Sequence, residues 1–367
     1  MVSSAAYGGL QDQGGSEPYK SSLWSAQCYI DHPPPLFLNM VVNGTNNPAY
    51  ASLLTPACKS AHAIPVTEHV VEEIKRTVRA FLKQLGYRAP RTPENAKLRA
   101  EVTAEILSWN ADLSSAYVDG LMDTCCTIAE SAYAHTSYRH QLAIAIYTTY
   151  MVYIDDIGNR DLEVLGQFGR RLLAHEDLGD PVLERLALLL QEMYDLYPRL
   201  SAHSIAVATL DSAVGMYVEF TTRDVAVSPG ATSYPAYLRT KTGIGSAYAL
   251  FNFVKGWRDP ADSFHLQLVP DIEHYTDSIN DILSFYKEAL NGDTDNYITL
   301  RASAERKHPV VVLQELCEET LESIRRVQAL TSSEPRIAEI LHRFVMGYVE
   351  FHFRAKRYRL AELSVEE

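Results

Sequence analysis

Three oxygen-bearing side chains, Asn280, Ser284 and Glu288, recur at i, i+4 and i+8 in the segment Asn280-Asp281-Ile282-Leu283-Ser284-Phe285-Tyr286-Lys287-Glu288. On a helix that spacing puts all three on one face. An amide oxygen, a hydroxyl and a carboxylate in a stripe are hard donors of the kind that hold Mg²⁺. Ile282, Leu283 and Phe285 supply the packing faces, while Asp281, Tyr286 and Lys287 point elsewhere. The bland alternative is a helix whose polar face happens to take this form. From average residue usage, the pattern arises by chance in roughly a few chains per thousand of this length.

A second cluster reads Tyr153-Ile154-Asp155-Asp156-Ile157-Gly158-Asn159-Arg160-Asp161. Two adjacent carboxylates end a long apolar helix, where the macrodipole makes negative charge unfavourable and a bound cation would relieve it. A solvated helix end, with Asn159 or Asp161 capping the next helix, accounts for an isolated Asp-Asp pair more often than a metal does. The weight comes from the company it keeps.

Two basic elements complete the set. Arg239 lies 41 residues before Asn280, just ahead of Gly243 and Gly245 in Tyr237-Leu238-Arg239-Thr240-Lys241-Thr242-Gly243-Ile244-Gly245. A guanidinium can grip phosphate oxygens as a two-pronged fork. Two glycines within a helical run interrupt its ladder and free backbone groups near Gly243 for a ligand. Near the end of the chain, His352-Phe353-Arg354-Ala355-Lys356-Arg357-Tyr358-Arg359 is basic within an acidic protein. Cations favoured at a helix C-terminus are the alternative reading there.

Together the two carboxylate motifs resemble the metal-binding pair of class I terpene synthases, where an aspartate-rich motif and an NSE motif face each other across the mouth of a helical barrel. Arg239 is similar to that family's diphosphate-sensing arginine, and Arg357-Tyr358 to its terminal Arg-Tyr pair. The wording Tyr-Leu-Arg before a glycine-bearing helix and Asn-Asp-x-x-Ser-Phe-Tyr-Lys-Glu most resembles the fungal trichodiene synthase-like sesquiterpene cyclases, over residues 65–360. The aspartate-rich motif departs from the family pattern, with Asn159 in the last place and Asp161 as the alternative. Asp155 is therefore its firmest ligand, with Asp156 beside it.

The resemblance implies three Mg²⁺ ions, two bridged by Asp155 and its neighbours and one held by Asn280, Ser284 and Glu288. It implies that Arg239, Lys287, Arg357 and Tyr358 donate hydrogen bonds to a departing diphosphate, and that the substrate is farnesyl diphosphate. The cation formed would need an apolar, aromatic cavity. Thr148 and Met151 below Asp155, Phe251 and Phe253 after the glycines, and Phe351 below Tyr358 are candidates by helical position. For any one of these, core packing is the stronger reading. The resemblance is compatible with a homodimer, which no surface feature of the sequence demonstrates. A chain-elongating prenyltransferase would carry a second Asp-Asp-x-x-Asp where this chain has Asn-Asp-x-x-Ser. Other rivals are a C10 or C20 cyclase and a non-catalytic helical scaffold.

The elements that must position these residues are helical. Val70, Val71, Ile74, Val78, Phe81, Leu82 and Leu85 recur at three- and four-residue spacing, with Gly86 where the helix should stop. Further helices are expected over 96–110, 140–157, 181–196 (capped by Asp180), 201–222, 234–254, 270–291, 309–331 and 335–362. No run alternates at period two for strand length. The expectation is an all-α fold: a single helical barrel or bundle with a central cavity over 65–367, preceded by an irregular arm over 1–64 rich in proline, glycine and asparagine.

Composition agrees. The chain of 367 residues is 47% hydrophobic and 22% charged, as a globular protein is. Its 33 Lys and Arg against 46 Asp and Glu give a net charge of −13, which argues against nucleic acid as a partner and requires metal between the protein and any anionic ligand. No stretch approaches the roughly 18 apolar residues of a membrane span, and Met-Val-Ser-Ser-Ala-Ala-Tyr-Gly-Gly lacks the pattern of a secretory leader. Cys28, Cys58, Cys125, Cys126 and Cys317 form no Cys-x-x-Cys pair, so reduced thiols and a cytoplasmic location are expected.

Overall fold

The computed structural model describes residues 67–111, 113–158, 160–223, 225–258 and 263–363. The expected arm over 1–64 and the expected ligand Asn159 lie outside the described residues. Thirteen α-helices and no strand occur among the described residues. They are α1 (Glu68–Leu85), α2 (Ala96–Ser108), α3 (Ser115–Ser131), α4 (Tyr138–Ile157), α5 (Leu162–Ala174), α6 (Pro181–Leu196), α7 (Arg199–Thr222), α8 (Tyr234–Thr242), α9 (Gly245–Leu250), α10 (Val269–Asn291), α11 (Tyr297–Glu305), α12 (Pro309–Leu330) and α13 (Pro335–Arg354).

Local signals set the helix ends. The Thr67 side chain accepts a hydrogen bond from the Val70 amide at 3.3 Å, and Gly86 closes α1 in the left-handed conformation at φ 69°. Asp180 accepts from the amides of Val182 and Leu183 and places Pro181 in the first turn of α6. Among the described residues no helix is long and apolar enough to cross a membrane. Cys125, Cys126 and Cys317 are buried free thiols.

Two helices organise the rest. The α4 helix is apolar nearly all round, burying Ile144, Tyr147, Thr148, Met151 and Ile154 against α2, α3 and α6. The α10 helix packs chiefly on α9 and α12, with α1 and α13 beyond them. The functional ends of both helices therefore hang from a packed interior.

Two expected helices end differently. The 234–254 run divides into α8 and α9, and the residue in left-handed conformation at the break is Ile244 (φ 57°), not either glycine. A β-branched residue at positive φ costs on the order of 1–3 kcal/mol and needs firm support. The glycines serve close approach instead: a Cβ at Gly243 would lie 2.3 Å from Asp277 Oδ1, and one at Gly245 would lie 2.8 Å from the same atom.

At the C-terminus α13 stops at Arg354, short of 362, and two 3₁₀ turns follow at Lys356–Tyr358 and Leu360–Leu363. The stop coincides with an anchor. Arg354 donates to Ser131 Oγ and Glu130 Oε2, both at 3.0 Å, and Arg99 grips the same buried carboxylate at 2.9 Å. The chain then turns back and buries Tyr358 against α10.

Candidate active site

On α10 the three predicted donors sit as the spacing requires. Asn280 is half-buried at the middle of the helix, Ser284 is buried one turn on, and Glu288 is half-buried one turn further. Burial raises the Glu288 carboxyl above its ordinary range, opposed by Lys287 and by a hydrogen bond from Ser284. Lys287 Nζ lies 3.7 Å from Glu288 Oε1 and 5.8 Å from the centre of the Tyr358 ring. Burial lowers its ammonium pKa, with Arg357 acting in the same sense. A carboxylate and an ammonium held so close, each resisting its own charge, form a site that a charged ligand would relieve.

Asn280 is held from three directions. Its Nδ2 donates to Tyr358 Oη at 3.1 Å and to His352 Nε2 at 3.2 Å, and its Oδ1 lies 3.5 Å from an Arg239 nitrogen. Arg239 itself reaches α10 from α8. Its Nε donates to both oxygens of Asp281 at 2.8 Å, and its Nη2 to the Asp277 carbonyl at 3.0 Å. Nη1 stands 3.8 Å from Asp277 Oδ1, which accepts no hydrogen bond. Asp281, read from the sequence as pointing away from the stripe, is thus the brace of the arginine. Burial pushes the Asp277 carboxyl up to about 8, against the pull of Arg239 and with Asp281 and Glu273 adding to the rise.

At the end of α4 the carboxylates part company. Asp155 stands exposed, and the surrounding protein together with Asp156 raises its pKa, opposed by Arg357, Arg223 and Lys287. Asp156 turns to α3 and accepts a 2.5 Å hydrogen bond from Tyr117. The Arg357 guanidinium is stabilised as a cation by Tyr358, Asp155 and Glu288, so it stands in the field of both carboxylate motifs. The structure thereby brings Asp155, Lys287, Glu288, Arg357 and Tyr358 to one mouth. Among the described residues no group of three or more His, Cys, Asp or Glu side chains is gathered closely enough to hold a metal by itself. Asn280 and Ser284, expected from the sequence as donors of other types, do not enter that search, and Asn159 lies outside the described residues.

Two residues of this mouth were not anticipated. Glu219 near the end of α7 is pushed up to about 7 by burial and by Asp155 and Asp295, with Arg223 and Arg239 opposing. Arg223 stands 4.3 Å over the Phe220 ring, and that ring packs so tightly on Gly158 that a Cβ there would lie 1.9 Å from it. The i, i+4 pair Glu219 and Arg223 at a helix end was the available signal, but it reads equally as a solvated ion pair.

Behind the mouth lies an aromatic interior. Phe251 makes edge and tilted contacts with Tyr133, Tyr147, Tyr197 and Tyr248 at 5.1–6.0 Å. Thr148, two turns before Asp155, accepts from Tyr248 Oη at 3.1 Å, and Met151 is buried too. Phe351 stands edge-on to Tyr358 at 5.5 Å. Phe253 belongs to a different cluster, 5.2 Å from Trp257 and 4.8 Å from His265. Cavities of about 270 Å³ and about 460 Å³ border Arg239 with Asp281, and Asp211 with Ile244; neither is lined by Asp155, Ser284 or Glu288.

Comparison with known proteins follows the same line. The family model described as trichodiene synthase (TRI5) matches residues 110–367. Terpene synthase BipA of Cochliobolus sativus is 33% identical over 288 residues, covering 76% of this chain and 87% of the relative. Monoterpene synthase 25 of Postia placenta is 28% identical over 306 residues, 82% of this chain and 90% of the relative. Among solved structures, linalool/nerolidol synthase from Streptomyces clavuligerus in complex with 2-fluorogeranyl diphosphate superposes with a TM-score of 0.55 at 17% identity, covering 76% of this chain and 97% of that one. Likeness at that identity speaks for the fold.

Proposed function

Because the chain belongs to the trichodiene synthase family and is a class I terpene synthase, we propose that it ionises farnesyl diphosphate with the help of Mg²⁺ and cyclises the resulting carbocation to a hydrocarbon or alcohol. The observation that supports this reading best is that Asp155, Lys287, Glu288 and Tyr358 all lie in the field of Arg357, with Lys287 and Arg357 both near the Tyr358 ring.

The residues present suit Mg²⁺. Asp155 and Glu288 are carboxylates whose ionised forms the surrounding protein disfavours, a cost that a hard cation would offset. Asn280, Ser284 and Glu288 would hold one ion and Asp155, with Asp156 and Asn159 beside it, the others. Bound there, Mg²⁺ supplies Lewis acidity at the diphosphate oxygens.

The chain's own residues do the remaining work. Lys287, Arg357 and the Tyr358 hydroxyl donate to the diphosphate as negative charge develops on it, and need no reorganisation at that moment. Arg239 contributes through Nη1, since Nε and Nη2 are taken by Asp281 and the Asp277 carbonyl. When the allylic C–O bond breaks, its electron pair leaves with the diphosphate oxygen and the carbon becomes cationic. The rings of Phe251 and Phe351 and the buried tyrosines around them present negative faces to that cation and keep water away. Loss of a proton from the last cation would give a hydrocarbon, and attack by water with loss of one of its protons would give an alcohol.

The test is incubation of purified protein with Mg²⁺ and C10, C15 or C20 prenyl diphosphate separately, with volatile products read by gas chromatography–mass spectrometry. A cyclic C15 product that disappears with EDTA is the expected result. A C10 product alone would overturn the choice of farnesyl diphosphate, an arm that the similarity to a monoterpene synthase makes necessary. Longer linear diphosphates on addition of isopentenyl diphosphate would point to chain elongation instead.

A further inference from the structure

His352 sits inside α13, fully buried, with the Tyr348 and Tyr358 rings 4.8 Å and 4.4 Å away. Its Nδ1 lies 2.7 Å from the Tyr348 carbonyl oxygen. A carbonyl only accepts, so Nδ1 carries the ring hydrogen. Arg239, which can only donate, faces the Asn280 Oδ1 at 3.5 Å, so the NH₂ end of that amide is turned to His352 and Nε2 meets it as a lone pair.

That lone pair faces the Asn280 amide at 3.2 Å. Only the NH₂ end of the amide can satisfy it. The second amide hydrogen goes to Tyr358 Oη at 3.1 Å, so both donors are spent inside the protein. Were the amide turned over, Oδ1 would confront the His352 lone pair and two acceptors would meet in a buried site, which costs about the desolvation of one polar group.

We propose that His352 is a positioning residue: together with Arg239 on Oδ1, it holds the one orientation of the Asn280 side chain in which Oδ1, and not the NH₂ group, is offered to a cation. The chain of control runs from the Tyr348 carbonyl, which fixes the imidazole tautomer, to the imidazole, which fixes the amide, to the amide oxygen. The Tyr358 hydroxyl gains as well. By accepting from Asn280 it keeps its own hydrogen for an anionic ligand on the other side. Partners that orient metal ligands in this way commonly contribute about 10- to 100-fold to metal affinity. The inference rests on the reading of Asn280, Ser284 and Glu288 as ligands.

The probe is Mg²⁺ with inorganic diphosphate, titrated by calorimetry into wild type, His352→Phe and His352→Gln, with melting curves of the metal-free proteins alongside. His352→Phe fills the space and removes the acceptor, and Mg²⁺-dependent diphosphate binding should weaken about 10- to 100-fold. His352→Gln returns an acceptor oxygen near the Nε2 position and should recover most of that loss. Equal binding by wild type and a folded His352→Phe protein overturns the proposal, as does a His352→Gln protein no better than His352→Phe. If wild type binds no Mg²⁺–diphosphate, the ligand reading itself falls and the proposal with it. If wild type binds but turns over no prenyl diphosphate, only the proposed activity falls. Should His352→Phe fail to fold, ¹⁵N shifts of the His352 ring in wild type decide the matter. A Nδ1-protonated neutral ring supports the proposal, and an Nε2-protonated ring or an imidazolium overturns it.

Discussion

The two carboxylate motifs share the field of Arg357 and are built on different plans. On α10 the ligands project from the middle of a helix and are braced. Arg239, His352 and Tyr358 hold Asn280, and Ser284 hydrogen-bonds Glu288. At the end of α4, Asp155 stands exposed at a helix terminus and Asp156 is drawn aside by Tyr117. One half is preorganised by second partners. The other has one partner, Tyr117 on Asp156, and leaves Asp155 without a hydrogen-bonded brace among the described residues. A site of this kind pays its ordering cost in advance on one side and leaves the other to adjust when ligand arrives.

If that division holds, removal of an α10 ligand should be the most damaging single change. Glu288→Ala takes away the carboxylate of the preorganised stripe and leaves Lys287 with an unbalanced charge. Turnover should fall on the order of 10²–10³-fold, the scale of losing one group aimed at developing charge. Steady-state kcat/KM across a Mg²⁺ series checks it. A loss under tenfold would mean that the α10 stripe is not the dominant half.

Next is the seam that carries Arg239. A methyl group at Gly243 would enter the space of both Asp277 Oδ1 and Arg239 Nη1, the latter at 2.5 Å. Gly243→Ala should destabilise the fold by about 1–3 kcal/mol, as overpacking does. The shift in the denaturant midpoint measures this. An unchanged midpoint would show that α9 can ride away from α10 freely and that the brace is loose.

The aspartate-rich side should respond more gently where it acts through a partner. Tyr117→Phe removes the hydrogen bond to Asp156 without touching Asp155, and should cost about tenfold in turnover, the scale of one hydrogen bond to a charged group. Tyr117→Phe and Asp156→Ala together should cost little more than Asp156→Ala alone, because both break the same contact. Additive losses would give Asp156 a role of its own at the mouth.

How much of this could be read in the sequence follows the same divide. Asn280, Ser284 and Glu288 were legible because helical spacing alone puts them on one face. Arg239 was legible because an arginine ahead of paired glycines is an unusual conjunction. The strain at Ile244 was not, since glycines are the default guess for positive φ and here they admit the Asp277 carboxyl instead. Helix α3 escaped because its buried face is made of Thr124, Cys125, Cys126, Thr127, Glu130 and Ser131, which carry little hydrophobic periodicity. Helix α5 contains Gly166 and Gly169, and α11 is only 9 residues long. His352 and Asp277 were invisible for another reason. A buried polar residue declares its role only through a partner far away in the chain, and the partners of these two lie 72 and 38 residues distant.

The last expected effect appears in stability against pH and concerns Asp277. Its carboxyl is pushed up to about 8 by burial, with Asp281 and Glu273 raising it further and Arg239 pulling the other way. In the unfolded chain the same group titrates near its ordinary value of about 4. Between those two values the folded state retains a proton that the unfolded state has lost. Stability therefore falls as pH rises through that window and levels off above it. Asp277→Asn preserves the shape and removes the titration. The melting temperature of the variant relative to wild type should then rise steadily from pH 5 to pH 8. Glu219 is present in both proteins and cancels in the difference, while Asp281 and Glu273, which interact with Asp277, lose part of their own upward push in the variant and change the difference in the same sense. A constant difference across that range would mean that Arg239 keeps Asp277 ionised. In that case the brace on α10 would be a fully charged arginine–dicarboxylate cluster, and the contrast with the exposed carboxylate of α4 would be sharper still.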